Sequence, residues 1–303
     1  MVEIILNMSV LIVFGILWHV IEPGGISSET IRKALTTLVL YLMLPALVLK
    51  VLWQANLGLN SFLISAVAIT SIVSGLLTSY FFCRACKASQ PVTGAVMLAS
   101  AFPNVTYLGL PVLTELFGDW AASIAIQYDL FACTPILFTV GIVIAQKYGS
   151  KGHHEGVFTG LRKLPPIWAA LLAVILNLAE VPMHSSVSWV LQQFAQMVIP
   201  MMLFAVGLSL DWKLSLANRV KNVSVIVISQ LLILPLVALA MASLFGFSGD
   251  TRTALVLEAA MPTMVIGLVI CDRYGLDTRL YATAVTLTTI LSLVTLNVWY
   301  LVL

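Results

Sequence analysis

Two acidic side chains occur inside long apolar stretches of this chain. Asp129 lies in the segment AIQYDLFACTP and Glu258 in the segment ALVLEAAMP. A charged group at the centre of a bilayer costs at least about 2.5 kcal/mol on insertion scales, and no lysine or arginine lies at a matching depth. A proton or a bound cation would neutralise either acid, so both are candidates for cation or proton coupling. The alternative is a protonated acid that hydrogen-bonds a neighbouring helix.

Polar residues also follow prolines in two other apolar runs, ASAFPNVTYLGLP and EAAMPTMVIG. Proline removes one backbone donor and displaces the carbonyl four residues earlier, which predicts a broken helix in each run. Half-helix N-termini suit an anion and freed carbonyls suit a cation. The predicted substrate-binding residues are therefore Pro103, Asn104, Thr106, Tyr107, Pro262 and Thr263. The alternative is that the two prolines only kink packed helices.

The composition identifies an integral membrane protein. Of 303 residues, 60% are hydrophobic and 9% are charged, whereas an ordinary soluble domain is about 25% charged. A helix needs roughly 20 apolar residues to cross a bilayer. Ten candidate spans satisfy this length, and they cover residues 4–21, 34–53, 61–82, 91–117, 121–146, 164–181, 187–209, 220–246, 251–271 and 279–302.

The basic residues fall on one side of these spans. All 15 lysines and arginines except Lys50 and Arg252 lie in or next to the loops that follow the odd-numbered spans. Basic loops stay in the cytoplasm. We therefore predict a multi-pass protein of the cell (inner) membrane, with loop 147–163 in the cytoplasm and both termini extracytoplasmic.

The two halves of the chain share one pattern of prolines. The matched prolines are Pro45 and Pro200 in the second span of each half, and Pro103 and Pro262 in the fourth. Five spans per half insert with opposite topology, as in the inverted repeats of many secondary transporters. We predict an all-α fold with a first five-helix repeat (1–146), a cytoplasmic linker (147–163) and a second five-helix repeat (164–303), in which helices 4 and 9 are broken and cross.

The motifs PNVTYLGLPVL…LFGD (103–119) and EAAMPTMVIGLVICDRYGLD (258–277) resemble the auxin efflux carrier family. This family includes plant auxin exporters and bacterial malate- or malonate-permease-like proteins. The long hydrophilic loop of many plant members is absent, which favours the bacterial type. The resemblance extends over the whole chain in span number and repeat arrangement.

The resemblance implies a fold related to the bile-acid sodium symporters. There, helices 1, 2, 6 and 7 form a scaffold, helices 3–5 and 8–10 form a transport core, and substrate binds beside the crossing of helices 4 and 9. By this likeness Asn104 is the substrate-facing asparagine, whereas Thr263 replaces the second asparagine of the plant carriers. Asp129 and Glu258 fall near the cation site of sodium-coupled relatives. The resemblance also implies an elevator or rocking motion between the two domains.

These observations predict a secondary active transporter of a small organic anion, either a mono- or a dicarboxylate. The alternatives are a sodium-coupled symporter of a bile-acid-like anion, a cation/proton antiporter on the same fold, a membrane-embedded enzyme, and a sensor without flux. No histidine or acid cluster favours an enzyme.

No cofactor is predicted beyond a coupling Na⁺ or H⁺, and no metal site. Cys83 and Cys86 form a single C-x-x-C without a second ligand pair, which favours reduced thiols. A net charge of +2 gives no reason to expect nucleic acid as a partner. The predicted partners are the organic anion and the lipid bilayer. A second copy of the chain, in a homodimer, is a further candidate partner.

Overall fold

The computed structural model describes residues 2–55, 57–150, 162–210 and 219–303, with side chains from residue 7 onward. Regular structure in these ranges is helical. Most of the predicted linker 147–163, with Lys151, lies outside the described residues, as does Lys213. Helices are numbered after the predicted spans: α1 Val2–Ile21, α2 Ser28–Trp53, α3 Leu59–Ala85, α4a Gln90–Ala101, α4b Val105–Phe117, α5 Trp120–Tyr148, α6 Pro165–Leu178, α7 Ser185–Ser209, α8 Val220–Leu244, α9a Gly249–Ala259, α9b Gly267–Tyr274 and α10 Thr278–Val302.

Six of these helices are long and apolar enough to cross a membrane: α2, α3, α5, α7, α8 and α10. The shorter apolar helices are α6, α4b and residues Asn7–Ile21 of α1. Large hydrophobic side chains remain exposed along several helices, such as Phe14, Leu77 and Val294. A surface of this kind needs lipid rather than water around it. The chain is therefore a multi-pass membrane protein.

Wide π-helical turns precede four of the prolines. These turns are Val39–Met43 before Pro45, Val105–Gly109 before Pro111, Asp129–Cys133 before Pro135, and Ser229–Ile233 before Pro235. A proline cannot donate to the preceding turn, and its ring displaces the carbonyl there. The wider turn relieves this crowding while the helix continues. The sequence thus explains where these helices deform.

The helices pack in two groups. The α2 group contains α1, α2, α6 and α7, since α1 packs along α7, and both α6 and α7 pack against α2. The α4 group contains α3, α4a, α4b, α5, α8, α9a, α9b and α10, which pack mainly on one another. The Asn177 side chain joins α6 to α2 because its Nδ2 donates to the carbonyls of Leu52, Trp53 and Ala55, at 2.7–3.2 Å.

Two glycines allow α1 and α7 to approach closely. A Cβ atom added at Gly207 would overlap the carbonyl oxygen of Ile12 and lie 2.9 Å from Cα of Gly15. Small residues at such contacts let two membrane helices pack backbone to backbone. The α2 group therefore depends on the absence of side chains at these positions.

We expect Gly207→Leu to destabilise the protein by about 1–3 kcal/mol, because overpacking forces α1 away from α7. The measurement is the melting temperature of the purified protein in detergent. The control is Gly58→Ala, since nothing lies within 4 Å of a Cβ atom at Gly58. Equal melting temperatures for the Gly207 variant and the wild type would contradict the close α1–α7 contact.

Candidate functional site

The interruptions of helices 4 and 9 lie against each other. The N–H of Asn104 donates to the carbonyl of Pro262 at 2.7 Å, and the N–H of Met264 donates to the carbonyl of Phe102 at 2.9 Å. Together they form an isolated antiparallel bridge between Pro103 and Thr263. The two breaks satisfy part of each other's backbone, which an apolar interior requires. We call this paired segment the crossing.

Side chains donate to three further carbonyls at the crossing. The Thr263 hydroxyl donates to the carbonyl of Ala99 at 2.9 Å, and Nε2 of Gln230 donates to that of Met261 at 2.9 Å. The Tyr281 hydroxyl donates to the carbonyl of Met264 at 2.8 Å. The Thr263 N–H in turn donates to the Thr288 hydroxyl at 3.1 Å.

The carbonyls that the two prolines free have partners in the structure. Proline frees the carbonyl of Ala99 from its helix, and the Thr263 hydroxyl donates to it. The carbonyl of Glu258 likewise accepts the N–H of Met261 at 3.3 Å. The reason is that uncompensated carbonyls are costly in an apolar interior, and neighbouring hydroxyl and amide groups bind them.

A small cavity of about 60 Å³ adjoins the crossing. Of the predicted site residues, Asn104, Thr106, Tyr107 and Asp129 line it. Pro103, Pro262 and Thr263 instead form the crossing itself and are not among its lining residues. The other walls come from α2, α5, the start of α6 and the segment after Thr263, and they are mostly apolar. This cavity, which we call the crossing cavity, lies where the α2 and α4 groups meet.

Asn104 supplies the polar end of the crossing cavity. It is 2% exposed and immediately precedes α4b, and its Nδ2 has no hydrogen-bond partner among the described residues. Leaving a buried donor unpaired costs about 1–3 kcal/mol. A ligand oxygen next to this amide would remove that cost, and the N-terminal end of α4b favours a negative charge.

Asp129 joins α5 to the first turn of α4b. Its Oδ2 accepts the hydroxyl of Thr106, and its Oδ1 accepts the hydroxyl of Thr134 at 2.7 Å. Thr134 also lines the crossing cavity, and the sequence-based prediction did not include it. The available signal was its position five residues after Asp129 and directly before Pro135, where a widened turn brings it back to the carboxylate.

Glu258 is fully buried, and neither carboxyl oxygen has a hydrogen-bond partner among the described residues. Its carboxyl group packs against Gly109, where any Cβ atom would overlap it. Asp129 and Glu258 thus both contact the start of α4b, Asp129 at Thr106 and Glu258 at Gly109, three residues further along. A buried carboxyl group without donors needs a proton or a cation.

A second and larger cavity, of about 630 Å³, lies further along α2. Its lining includes residues 47–55 at the end of α2, Leu110 and Thr114 of α4b, the first part of α5 as far as Gln127, and residues 192–199 in the middle of α7. The crossing cavity instead meets α2 at Leu40 and Leu44. We call the larger cavity the vestibule. The two cavities lie on either side of one stretch of α2 and α4b.

Broken helices that pair inside a multi-pass helical protein, beside a cavity with a polar end, are the architecture of a membrane transporter. The comparison with known families agrees. The family described as "membrane transport protein" matches residues 1–160 and again residues 157–300. The chain belongs to this family, which confirms the resemblance to the auxin efflux carriers. Family and relatives' names indicate a transporter, generally not an enzyme.

Three relatives match over most of their length. A transporter of Methanothermobacter thermautotrophicus, named as uncharacterized, is 30% identical over 99% of this chain and 98% of its own. Another such transporter, from Methanocaldococcus jannaschii, is 24% identical over 98% of this chain and 97% of its own length. A protein of Rhizobium meliloti, named provisionally as a malonate transporter, is 27% identical over 87% of this chain and 84% of its own length.

We expect Thr263→Val to destabilise the protein by about 1–3 kcal/mol, because the carbonyl of Ala99 loses its buried donor. Thr263→Ser keeps the hydroxyl and should stay within about 1 kcal/mol of the wild type. Melting temperatures of the purified variants measure the difference. A valine variant as stable as the serine variant would show that the hydroxyl does not support the crossing.

Proposed function

We propose that this protein is a secondary active transporter of a small organic anion, either a mono- or a dicarboxylate. The observation that carries the proposal is the unpaired Nδ2 of Asn104, at the N-terminal end of α4b and in the wall of the crossing cavity. An amide donor next to a half-helix N-terminus favours a carboxylate. The name of the Rhizobium meliloti relative supports a dicarboxylate such as malonate.

We extend the proposal to the membrane topology. Ten spans would form two inverted five-helix repeats in the cell (inner) membrane, with both termini outside and the 147–163 loop in the cytoplasm. The matched interruptions of helices 4 and 9, their antiparallel pairing and the one-sided distribution of basic residues support this arrangement. In this orientation the vestibule opens to the outside.

Alternating access would come from movement of the α4 group against the α2 group. The crossing cavity lies where these groups meet, with the vestibule on the other side of the same contact. With about 60 Å³ the crossing cavity holds only a few water molecules. We expect the two groups to separate there when a dicarboxylate binds, which would open the site toward the cytoplasm.

Asp129 and Glu258 would couple the anion to H⁺ or Na⁺. Both carboxyl groups contact the start of α4b, whose first residues also line the anion site, so a charge on either acid acts on the bound anion. A sodium-coupled symporter of a larger, bile-acid-like anion and a cation/proton antiporter are the alternatives. Glu258 is compatible with these alternatives as well as with the main proposal. Its carboxyl group has no hydrogen-bond donor beside it among the described residues, so it could bind a cation whether or not an anion is bound.

The test of the anion site is Asn104→Ala in proteoliposomes loaded for uptake of labelled malonate. We expect uptake to fall about tenfold or more, because a hydrogen bond to a charged group contributes about 1.5–3 kcal/mol. The matched control is Asn297→Ala, since the Asn297 amide donates to the carbonyl of Leu293 within α10. Wild-type uptake by the Asn104 variant would refute the assignment.

The test of coupling is Glu258→Gln, which fixes a neutral side chain of the same shape. We expect a pH or sodium gradient to drive malonate accumulation in the wild type only, while exchange of malonate across the membrane continues in the variant. Separate pH and sodium gradients identify the ion. The control is Glu115→Gln, because Glu115 is exposed near the end of α4b. Gradient-driven accumulation by the Glu258 variant would exclude Glu258 as the coupling group.

A further inference from the structure

The vestibule has two chemically different walls. The wall from the α2 group carries the Lys50 ammonium and the amides of Gln54, Gln192 and Gln196. The opposite wall, from the α4 group, carries Asp119 and the polar groups of Thr114, Ser123 and Gln127. A lysine and three glutamines on two adjacent helices are unusual in a chain with 9% charged residues.

The donors on the α2 wall have no hydrogen-bond or ion-pair partner among the residues that the structure describes. No ion pair or hydrogen bond joins Lys50 Nζ or the amide nitrogens of Gln54, Gln192 and Gln196 to another described residue. An ammonium group offers three donors and each amide nitrogen two. Lys50 is half-buried rather than fully solvated, so its charge is screened less than that of a free surface lysine. The wall therefore suits a ligand with several acceptor oxygens and a negative charge.

We propose that the α2 wall of the vestibule is a second binding site for a small carboxylate, separate from the crossing cavity. Lys50 binds the carboxylate directly, and the amides of Gln54, Gln192 and Gln196 donate to its oxygens. This inference rests on the proposed anion cargo, and it adds a site that the cargo occupies before it reaches Asn104.

The second wall predicts that this site binds an anion weakly. Asp119 faces the same cavity and repels an anion, and about 630 Å³ of space keeps the ligand largely hydrated. Weak binding is suited to a staging site, since a tightly held anion would not move on. Along α2 and α4b, the lining of the vestibule reaches Leu47 and Leu110, and the lining of the crossing cavity reaches Leu44 and Tyr107.

The experiment is equilibrium binding of labelled malonate to the purified full-length protein, for the wild type, Lys50→Gln, Asn104→Ala and the double variant. We expect two binding components in the wild type. Lys50→Gln should weaken the lower-affinity component by roughly tenfold and leave the other unchanged, because it removes one charge-assisted contact. Asn104→Ala should do the reverse, and the double variant should lose both.

Two further variants separate the charge of Lys50 from its packing. Lys50→Arg keeps the charge and should retain the weak component, and Lys87→Gln removes an exposed lysine from the loop between α3 and α4a and should change neither component. Size-exclusion profiles and melting temperatures identify any variant that fails to fold. If Lys50→Gln fails to fold, the test is whether Lys50→Arg, which keeps the charge, retains the weak binding component.

The outcomes separate this inference from the proposed function. A single component that depends on Asn104 and is insensitive to Lys50→Gln would overturn the vestibule site and leave the proposed function intact. A component that depends on Lys50 alone, together with wild-type transport by Asn104→Ala, would support the vestibule site and refute the assignment of Asn104. Absence of malonate binding to the wild-type protein would overturn the vestibule site as stated.

Discussion

The antiparallel pairing of the two helix breaks is the interaction on which the rest of the structure depends. Two backbone hydrogen bonds, from Asn104 to Pro262 and from Met264 to Phe102, let the chain leave helical geometry inside an apolar protein. Without them, the groups released by the prolines would be unpaired away from water, at a cost of several kcal/mol each. The hydroxyl of Thr263 and the amide of Gln230 bind carbonyls that the pairing leaves over.

The same pairing fixes the start of α4b next to two acids. Asn104 is held by its backbone, so its side-chain amide is left for the crossing cavity. Thr106 then meets Asp129, and Gly109 meets Glu258. The widened turns before Pro45, Pro111 and Pro135 bring residues of α2, α4b and α5 to this cavity, since Leu40, Thr106 and Asp129 all belong to such turns. The three prolines, which interrupt regular helical geometry, thus help to bring polar residues together at the crossing cavity.

The two cavities give the proposed transport cycle a physical basis. Both lie between the α2 and α4 groups, and one stretch of α2 and α4b divides them. The α2 group is held by backbone-close contacts, such as Gly15 with Gly207, and by the Asn177 amide on the end of α2. The α4 group is held by the crossing. Each group therefore has its own internal bonds, and a movement between them would open one cavity while it narrows the other.

The amino-acid sequence by itself determined the membrane class, the positions of both helix breaks, the family, and the choice of Asn104, Asp129 and Glu258 as unusual residues. These follow from composition and from local chemistry, because apolar length, proline and intramembrane charge act within one or two helical turns. Only the tertiary structure decided how they are used. Thr263 binds the carbonyl of Ala99 instead of lining the crossing cavity, Thr134 joins Asp129, and Lys50 faces the vestibule. The Thr263–Ala99 contact joins residues 164 positions apart. The rotation and crossing of the packed helices bring these residues together, and no local sequence pattern encodes that arrangement.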